Sequence, residues 1–336
     1  MSHSYEAAAP SGPIRLAGSD VVLPSMGVGT WAWGDKATWG MNDYDRSYGL
    51  DTIREAYRCS VASGVGFLDT AEMYGAGESE RIIGRLLEED REAGARVVVA
   101  TKFIPWPWRI ALSAALLAAL RASLERLRLP AVHLYQIHGP ISLRSHAAMA
   151  DALAEACHAG LTKAVGVSNY SEREVRALHA ELAKRGVALA TNQIEYSLLR
   201  TMPESDGLVR ACQELGVVVL AYSPLGQGRL TGKYSAQNPP PGRRTFSDFP
   251  MAEIEPLLAE LRRIGERYGG KTLAQVALNW LVCKGAVPIP GAKNRAQADQ
   301  NAGALGWRLS AEDVEALGRV AKHGQRRFMH RVWQHG

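Results

Sequence analysis

A chain of 336 residues, 46% hydrophobic and 22% charged, can bury a large core and is neither disordered nor fibrous. Its formal charge of +5 is local, because Lys322, Arg326, Arg327 and Arg331 supply four of those charges in a stretch without acidic residues, so no nucleic-acid role is assigned. Four scattered cysteines, Cys59, Cys157, Cys212 and Cys283, argue against a disulfide framework or a metal site. No run approaches the roughly 20 apolar residues of a membrane span, and the expected compartment is the cytoplasm.

In chain order, residues 1–13 are polar and Ala-rich and read as a flexible lead-in. Residues 14–23 read as two short strands around a Gly18-Ser19-Asp20 turn. Strand-like runs then recur at 25–30, 66–69, 97–102, 132–138, 163–168, 189–193, 217–222 and 286–290. Helical periodicity fills the intervals, as at 50–63, 78–92, 113–127 and 172–184. Strand and helix alternating eight times predict an α/β fold, a closed parallel (β/α)8 barrel in one domain over residues 14–322. The unbroken apolar run Val97-Val98-Val99-Ala100 agrees, since parallel barrel strands are covered on both faces. The first hairpin is placed as a plug over the barrel floor, and residues 295–303 and 311–321 as extra C-terminal helices. Ser310 caps the second of these, with Asp313 in the capping-box position. Residues 226–251, rich in Gly, Pro and Arg, form the one long loop and read as a lid or binding loop. The basic tail, 323–336, reads as a solvated helix end with Phe328 and Trp333 packing back on the body, ahead of a contact for nucleic acid or anionic lipid.

Reactive groups of such a barrel sit where strands end, so polar residues just after apolar runs take priority. Asp69 closes the second strand and Tyr74 follows on its loop; Lys102 closes the third and His138 the fourth. Singly, Asp69 and Lys102 read as a buried ion pair and His138 as a core histidine; on three consecutive strand ends they read as one site.

These four residues, in order and in context, make the chain resemble the aldo-keto reductase family over about residues 18–318. The resemblance continues through Gly166-Val167-Ser168-Asn169-Tyr170, Thr191-Asn192-Gln193-Ile194-Glu195-Tyr196, Ala221-Tyr222-Ser223-Pro224-Leu225-Gly226-Gln227-Gly228 and Ile289-Pro290-Gly291-Ala292-Lys293. It is nearest to plant-plastid and bacterial members. It implies reduction of an aldehyde or ketone by NADPH, with NADH less favoured. Tyr74 is then the proton donor, its pKa lowered from about 10 by Lys102, which Asp69 holds. His138 orients the carbonyl and stabilises charge developing on its oxygen.

No Gly-x-Gly-x-x-Gly opens a helix, so a Rossmann domain is not indicated. The resemblance instead lays the cofactor across the barrel mouth. Thr30 and Trp31 flank it, Ser168, Asn169 and Gln193 hold the nicotinamide carboxamide, and Tyr222 backs the ring. Ser223, Pro224, Leu225, Gly226, Gly228 and Lys233 form the loop around the pyrophosphate, where an ordinary turn is the competing reading. Ile289, Gly291, Lys293, Gln297 and Asn301 serve the adenosine end. There Lys293 reads as the 2′-phosphate contact or a solvated cation. Gln297 stands where many members carry arginine, which weakens the NADPH assignment. Trp33, Trp106 and Trp108 are expected to wall a pocket for an apolar or cyclic carbonyl compound. Gly139 and Ile141 depart from bulkier or acidic residues in relatives and suggest a wider pocket.

Two other readings compete: a cofactor-binding regulatory subunit with little turnover, and an aldolase using Lys102 as a Schiff base. The expected partners are a small carbonyl substrate and at most another copy of the chain, as monomer or weak homo-oligomer, with no metal, membrane or nucleic acid.

Overall fold

The computed structural model describes residues 12–34, 49–241, 246, 248–325 and 332–336. The lead-in before residue 12 and tail residues Arg326, Arg327, Phe328 and Arg331 therefore lie outside the described residues. β1 (Ile14–Arg15) and β2 (Val22–Leu23) pair antiparallel, Ile14 opposite Leu23. The next eight strands form one parallel sheet in sequence order. They are β3 (Val28–Gly29), β4 (Phe67–Asp69), β5 (Val98–Phe103), β6 (Val132–Ile137), β7 (Thr162–Ser168), β8 (Leu189–Glu195), β9 (Val218–Tyr222) and β10 (Val287–Pro288). Among the described residues no helix is long and apolar enough to cross a membrane.

The sheet curls until its edges meet. Gly27 N and Gly29 N donate to the carbonyls of Pro288 and Pro290 at 3.0 and 3.1 Å, while Ile289 N turns the other way to Ala221 O at 3.0 Å. Proline accepts but cannot donate, so at Pro288 and Pro290 donation comes from the β3 side. β3 and β10 span two residues each where the sequence pattern suggested longer runs.

Inside the ring, one end is apolar. Phe67, Ala100, Leu134, Ala164, Ala190, Leu220, Val287 and Ile289 pack with Leu16, Val21 and Leu23 of the hairpin, which plugs the floor as expected. Outside, the reverse faces of the strands, such as Val99, Phe103, Tyr135 and Ile137, join Leu116, Leu120, Leu124 and Leu127 of the helix Leu112–Leu127 in the larger core. Caps set the helix starts: Ser310 accepts from Asp313 N, as its spacing predicts, and Thr272 and Gln275 form a full capping box.

A register shift between Val165 and Gly166 marks the pairing of β7 with β8. Ala190 belongs to the floor, yet Thr191 and Gln193 both reach groups at the other end of the interior. Strict alternation would put Thr191 on the opposite face from Ala190. The irregularity resets the phase and turns two polar side chains inward.

Candidate active site

Above the floor the same strands carry ionised and amide side chains. Lys102, fully buried within β5, donates through Nζ to Asp69 Oδ2 at 2.6 Å, to Thr70 O at 2.9 Å and to the Tyr74 hydroxyl at 3.4 Å. Asp69, 2% exposed, accepts at its other oxygen from Gln136 Nε2 at 3.2 Å and Gln193 Nε2 at 2.8 Å. Thr191 in turn donates to Gln136 Oε1 at 3.2 Å. A charge pair buried without such partners would be strongly unfavourable; here both oxygens of the carboxylate are occupied.

Tyr74 sits on a turn whose shape is fixed by close backbone approach. Gly75 has φ +58°, and a Cβ there would run into the Gly34 carbonyl. Ser79 N donates to Tyr74 O at 3.3 Å, while the Ser79 hydroxyl meets those of Thr30 and Thr70, each at 2.9 Å. His138 follows β6, its ring edge-on to Tyr74 at 5.6 Å and 77°. The four strand-end residues chosen from the sequence thus converge.

Burial, reinforced by the charge of Asp69, pushes the Tyr74 phenol well above its ordinary value of 10. The sequence pattern led to the expectation of a lowered value. Nearby Lys102 does not achieve this because excluding water from a phenolate outweighs one ammonium whose charge Asp69 already compensates. Burial also draws Lys102 down against the opposing pull of Asp69. Burial and then the Lys102 charge hold His138 well below 6.5, as a neutral imidazole at neutral pH.

Across the mouth lies a neutral network. Ser168 Oγ and Asn169 N both donate to Gln193 O at 2.8 Å, and Tyr222 OH donates to Asn169 Oδ1 at 2.9 Å. Asn169 and Ser223 adopt left-handed φ of 64° and 48° without being glycine, backbone strain set where β7 and β9 stop. Trp31 lies 6.5 Å from the Tyr74 ring, and Phe246 lies between aromatic neighbours, 6.4 Å from Trp31 and 5.4 Å from Tyr222. Thr30 is buried, tied to Asp69 O at 2.9 Å. On the long loop Pro224 and Gly226 are buried, Gly228 N reaches Leu225 O at 3.0 Å, and Lys233 is exposed. The Ile289 side chain belongs to the floor. Gln297 accepts from Lys293 N at 2.9 Å and Asn301 Nδ2 donates to Gly291 O at 3.2 Å, so both hold the loop after β10 in shape.

The expected pocket wall also needs a correction. Trp33, assigned to a pocket wall, is 2% exposed and packed in the core, its indole donating to Ala292 O at 2.8 Å. Trp106 and Trp108 stack at 4.9 Å and 8° on the loop leaving β5, with Trp108 68% exposed. Sequence pattern passed over Gln136, Thr191, Glu195 and Phe246. Trp333 packs back on the body as expected, 5.4 Å from the His138 ring, but the sequence reading missed Gln334, which donates to Glu195 Oε2 at 2.8 Å and Tyr222 OH at 2.5 Å. A glutamine near the end of a strand-forming run was the only available signal for Gln136; residues 332–336 offered none beyond an aromatic.

Residues 25–322 match the family model described as the aldo/keto reductase family. The chain is 39% identical over 323 residues to a chloroplastic pyridoxal reductase of Arabidopsis thaliana, covering 92% of this chain and 86% of the relative. It is 31% identical over 334 residues to an NADH-specific methylglyoxal reductase of Escherichia coli, covering 92% and 98%. Among solved structures, a glycerol dehydrogenase of Gluconobacter oxydans superposes with TM-score 0.79 at 28% identity, over 95% of this chain and 98% of that one. An aldo/keto reductase of Klebsiella pneumoniae, in complex with NADP and acetate, superposes with TM-score 0.71 at 27% identity, over 94% and 96%.

Proposed function

The chain belongs to the aldo/keto reductase family, and on that basis we propose that it reduces an aldehyde or ketone to the alcohol, with NADPH as cofactor and Tyr74 as proton donor. The observation that carries this reading is the string Asp69–Lys102–Tyr74, with bonds of 2.6 and 3.4 Å, facing a neutral His138.

The strand ends suit a nicotinamide cofactor: they combine buried amides of Asn169 and Gln193, an aromatic Tyr222, and left-handed backbone at Asn169 and Ser223. Gln227 Nε2, on the loop after β9, is buried with no hydrogen-bond partner among the described residues. When bound, the cofactor supplies the hydride. His138 offers an N–H to the carbonyl oxygen and fixes its direction. Tyr74, kept protonated by burial, gives its proton to that oxygen. Lys102 then stabilises the phenolate left behind, and Asp69, tied by two glutamine amides, keeps the ammonium in place.

For substrate, the reading favours a planar aromatic aldehyde of the pyridoxal kind over a small aliphatic dicarbonyl. The name of the plastid relative supports it, as does the stacked Trp106–Trp108 pair beside the mouth. For cofactor, Lys293 after β10 supports NADPH, while the Escherichia coli relative is named as NADH-specific. The test is the fall in 340 nm absorbance with either cofactor and a panel containing pyridoxal, benzaldehyde and methylglyoxal. Turnover fastest with pyridoxal and NADPH supports every part of the reading. Absence of turnover with any carbonyl overturns it.

A further inference from the structure

Donor and acceptor roles along the mouth run in one direction. Buried Glu195 presents a carboxylate oxygen, so the Gln334 amide turns its nitrogen to it at 2.8 Å, and that nitrogen, which can only donate, also reaches Tyr222 OH at 2.5 Å. The Tyr222 hydroxyl, receiving that bond, turns its own proton to Asn169 Oδ1 at 2.9 Å. Asn169 must then point its Nδ2 the other way, and it donates to His138 O at 3.3 Å and Ser168 Oγ at 3.1 Å. Bonds made by the two residues that follow keep Gln334 in reach of Tyr222. His335 N and Gly336 N donate to Asn169 O at 3.0 and 3.2 Å, and Arg200 Nη2 donates to Gly336 O at 2.7 Å.

We propose that Gln334 is a positioning residue for the cofactor seat, fixing through Tyr222 which end of the Asn169 amide faces the nicotinamide. The inference rests on the reductase reading above. An asparagine amide has two orientations of nearly equal shape that differ only in where donor and acceptor lie. With Gln334 present, the hydroxyl of Tyr222 is committed as a donor and reinforces the orientation that His138 O and Ser168 Oγ favour from the other end. Without it, that hydroxyl is free to turn away or to accept, only the bonds of Asn169 Nδ2 to His138 O and Ser168 Oγ still oppose a flipped amide, and affinity falls by the fraction lost along with the bond itself.

The test uses the full chain and titrates NADPH against intrinsic tryptophan fluorescence. Gln334→Leu is expected to raise the dissociation constant about tenfold, the scale of one hydrogen bond. Tyr222→Phe, which keeps the ring and removes only the hydroxyl, is expected to do the same. The double variant is expected to bind no more weakly than either single one, because the string is already broken. Val332→Ser, at an exposed neighbouring position, is expected to bind like the parent chain. Unchanged affinity in either Gln334→Leu or Tyr222→Phe overturns the inference, as do losses that multiply to about a hundredfold in the double variant. Should Gln334→Leu not fold, Gln334→Met, which keeps the length of the side chain and lacks the amide, takes its place. A parent chain that shows no NADPH-dependent quench overturns the reductase reading itself, so the two failures are distinguishable.

Discussion

The two ends of the barrel interior are built on the same strands and differ in almost every chemical respect. β4 carries Phe67 at the floor and Asp69 at the mouth; β5 carries Ala100 and Lys102; β6 carries Leu134 and then Gln136. A step of two residues along one strand passes from an apolar layer sealed by Leu16, Val21 and Leu23 to a layer of charges and amides that satisfy one another. The floor contributes burial and the mouth contributes chemistry, a division open to parallel barrels because side chains two apart share a face. The mouth, too, is a packed layer: its ion pair is stable only because the amides around it are placed.

At the mouth, the strongest effect isolates chemistry from packing. Tyr74→Phe is predicted to lower kcat by about a hundredfold to ten-thousandfold, the usual range for one general acid. Its thermal midpoint and NADPH affinity should stay close to those of the parent. A variant with full turnover would remove Tyr74 from the reaction. Lys102→Met should fail on both counts, losing turnover and about 3–5 kcal/mol of stability by stranding Asp69 in the interior. Adding Asp69→Asn to it should restore most of the stability and none of the activity. If the double variant is as unstable as Lys102→Met, the ion pair is not what the mouth's stability depends on.

At the floor the opposite separation is expected. Leu134→Ala, at a fully buried position of the apolar layer, should lower stability by about 2–5 kcal/mol. The surviving folded protein should keep its parent kcat, because Gln136 and His138 lie further along the same strand. A tenfold loss of kcat in folded, cofactor-saturated protein would show that floor packing sets mouth geometry, and would blur the distinction.

Sequence pattern carried the barrel and the four convergent residues because both depend on local order: apolar runs at regular spacing, and polar residues at the ends of those runs. It failed where tertiary context decides. Whether Trp33 faces a pocket or the core depends on how one short helical turn, Trp31–Gly34, docks on the loop after β10. The shift at Val165/Gly166 that turns both Thr191 and Gln193 inward leaves no trace in an alternating pattern. The direction of the Tyr74 shift is set by burial, which spacing does not report. The bonds of Gln334 to Glu195 and Tyr222 join residues 139 and 112 positions apart.

A weaker effect separates two histidines, one near the start of β6 and one just past its end. His138 stands at the mouth and His133 toward the floor, where its Nδ1 accepts from Val99 N at 3.1 Å. Burial lowers both below 6.5, with the Lys102 charge adding to the first and the Lys163 charge to the second. A group with a depressed folded value takes up its proton first in the unfolded chain. Stability is therefore unaffected above pH 6.5 and falls as pH drops from 6.5 toward the folded values, by at most about 1.4 kcal/mol per pH unit for each histidine. Urea unfolding at pH 7.5 and 5.5 should show this loss, reduced by His133→Asn and again by His138→Asn. Turnover should behave differently at its alkaline limit. With Tyr74 held well above 10, kcat/KM for reduction should show no ionisation of the phenol between pH 7 and 10. A fall centred near pH 8 or 9 that carries the ultraviolet signature of a phenolate would mean that Lys102 lowers the phenol after all once substrate and cofactor fill the mouth; the same fall without it would belong to Lys102, which burial draws down.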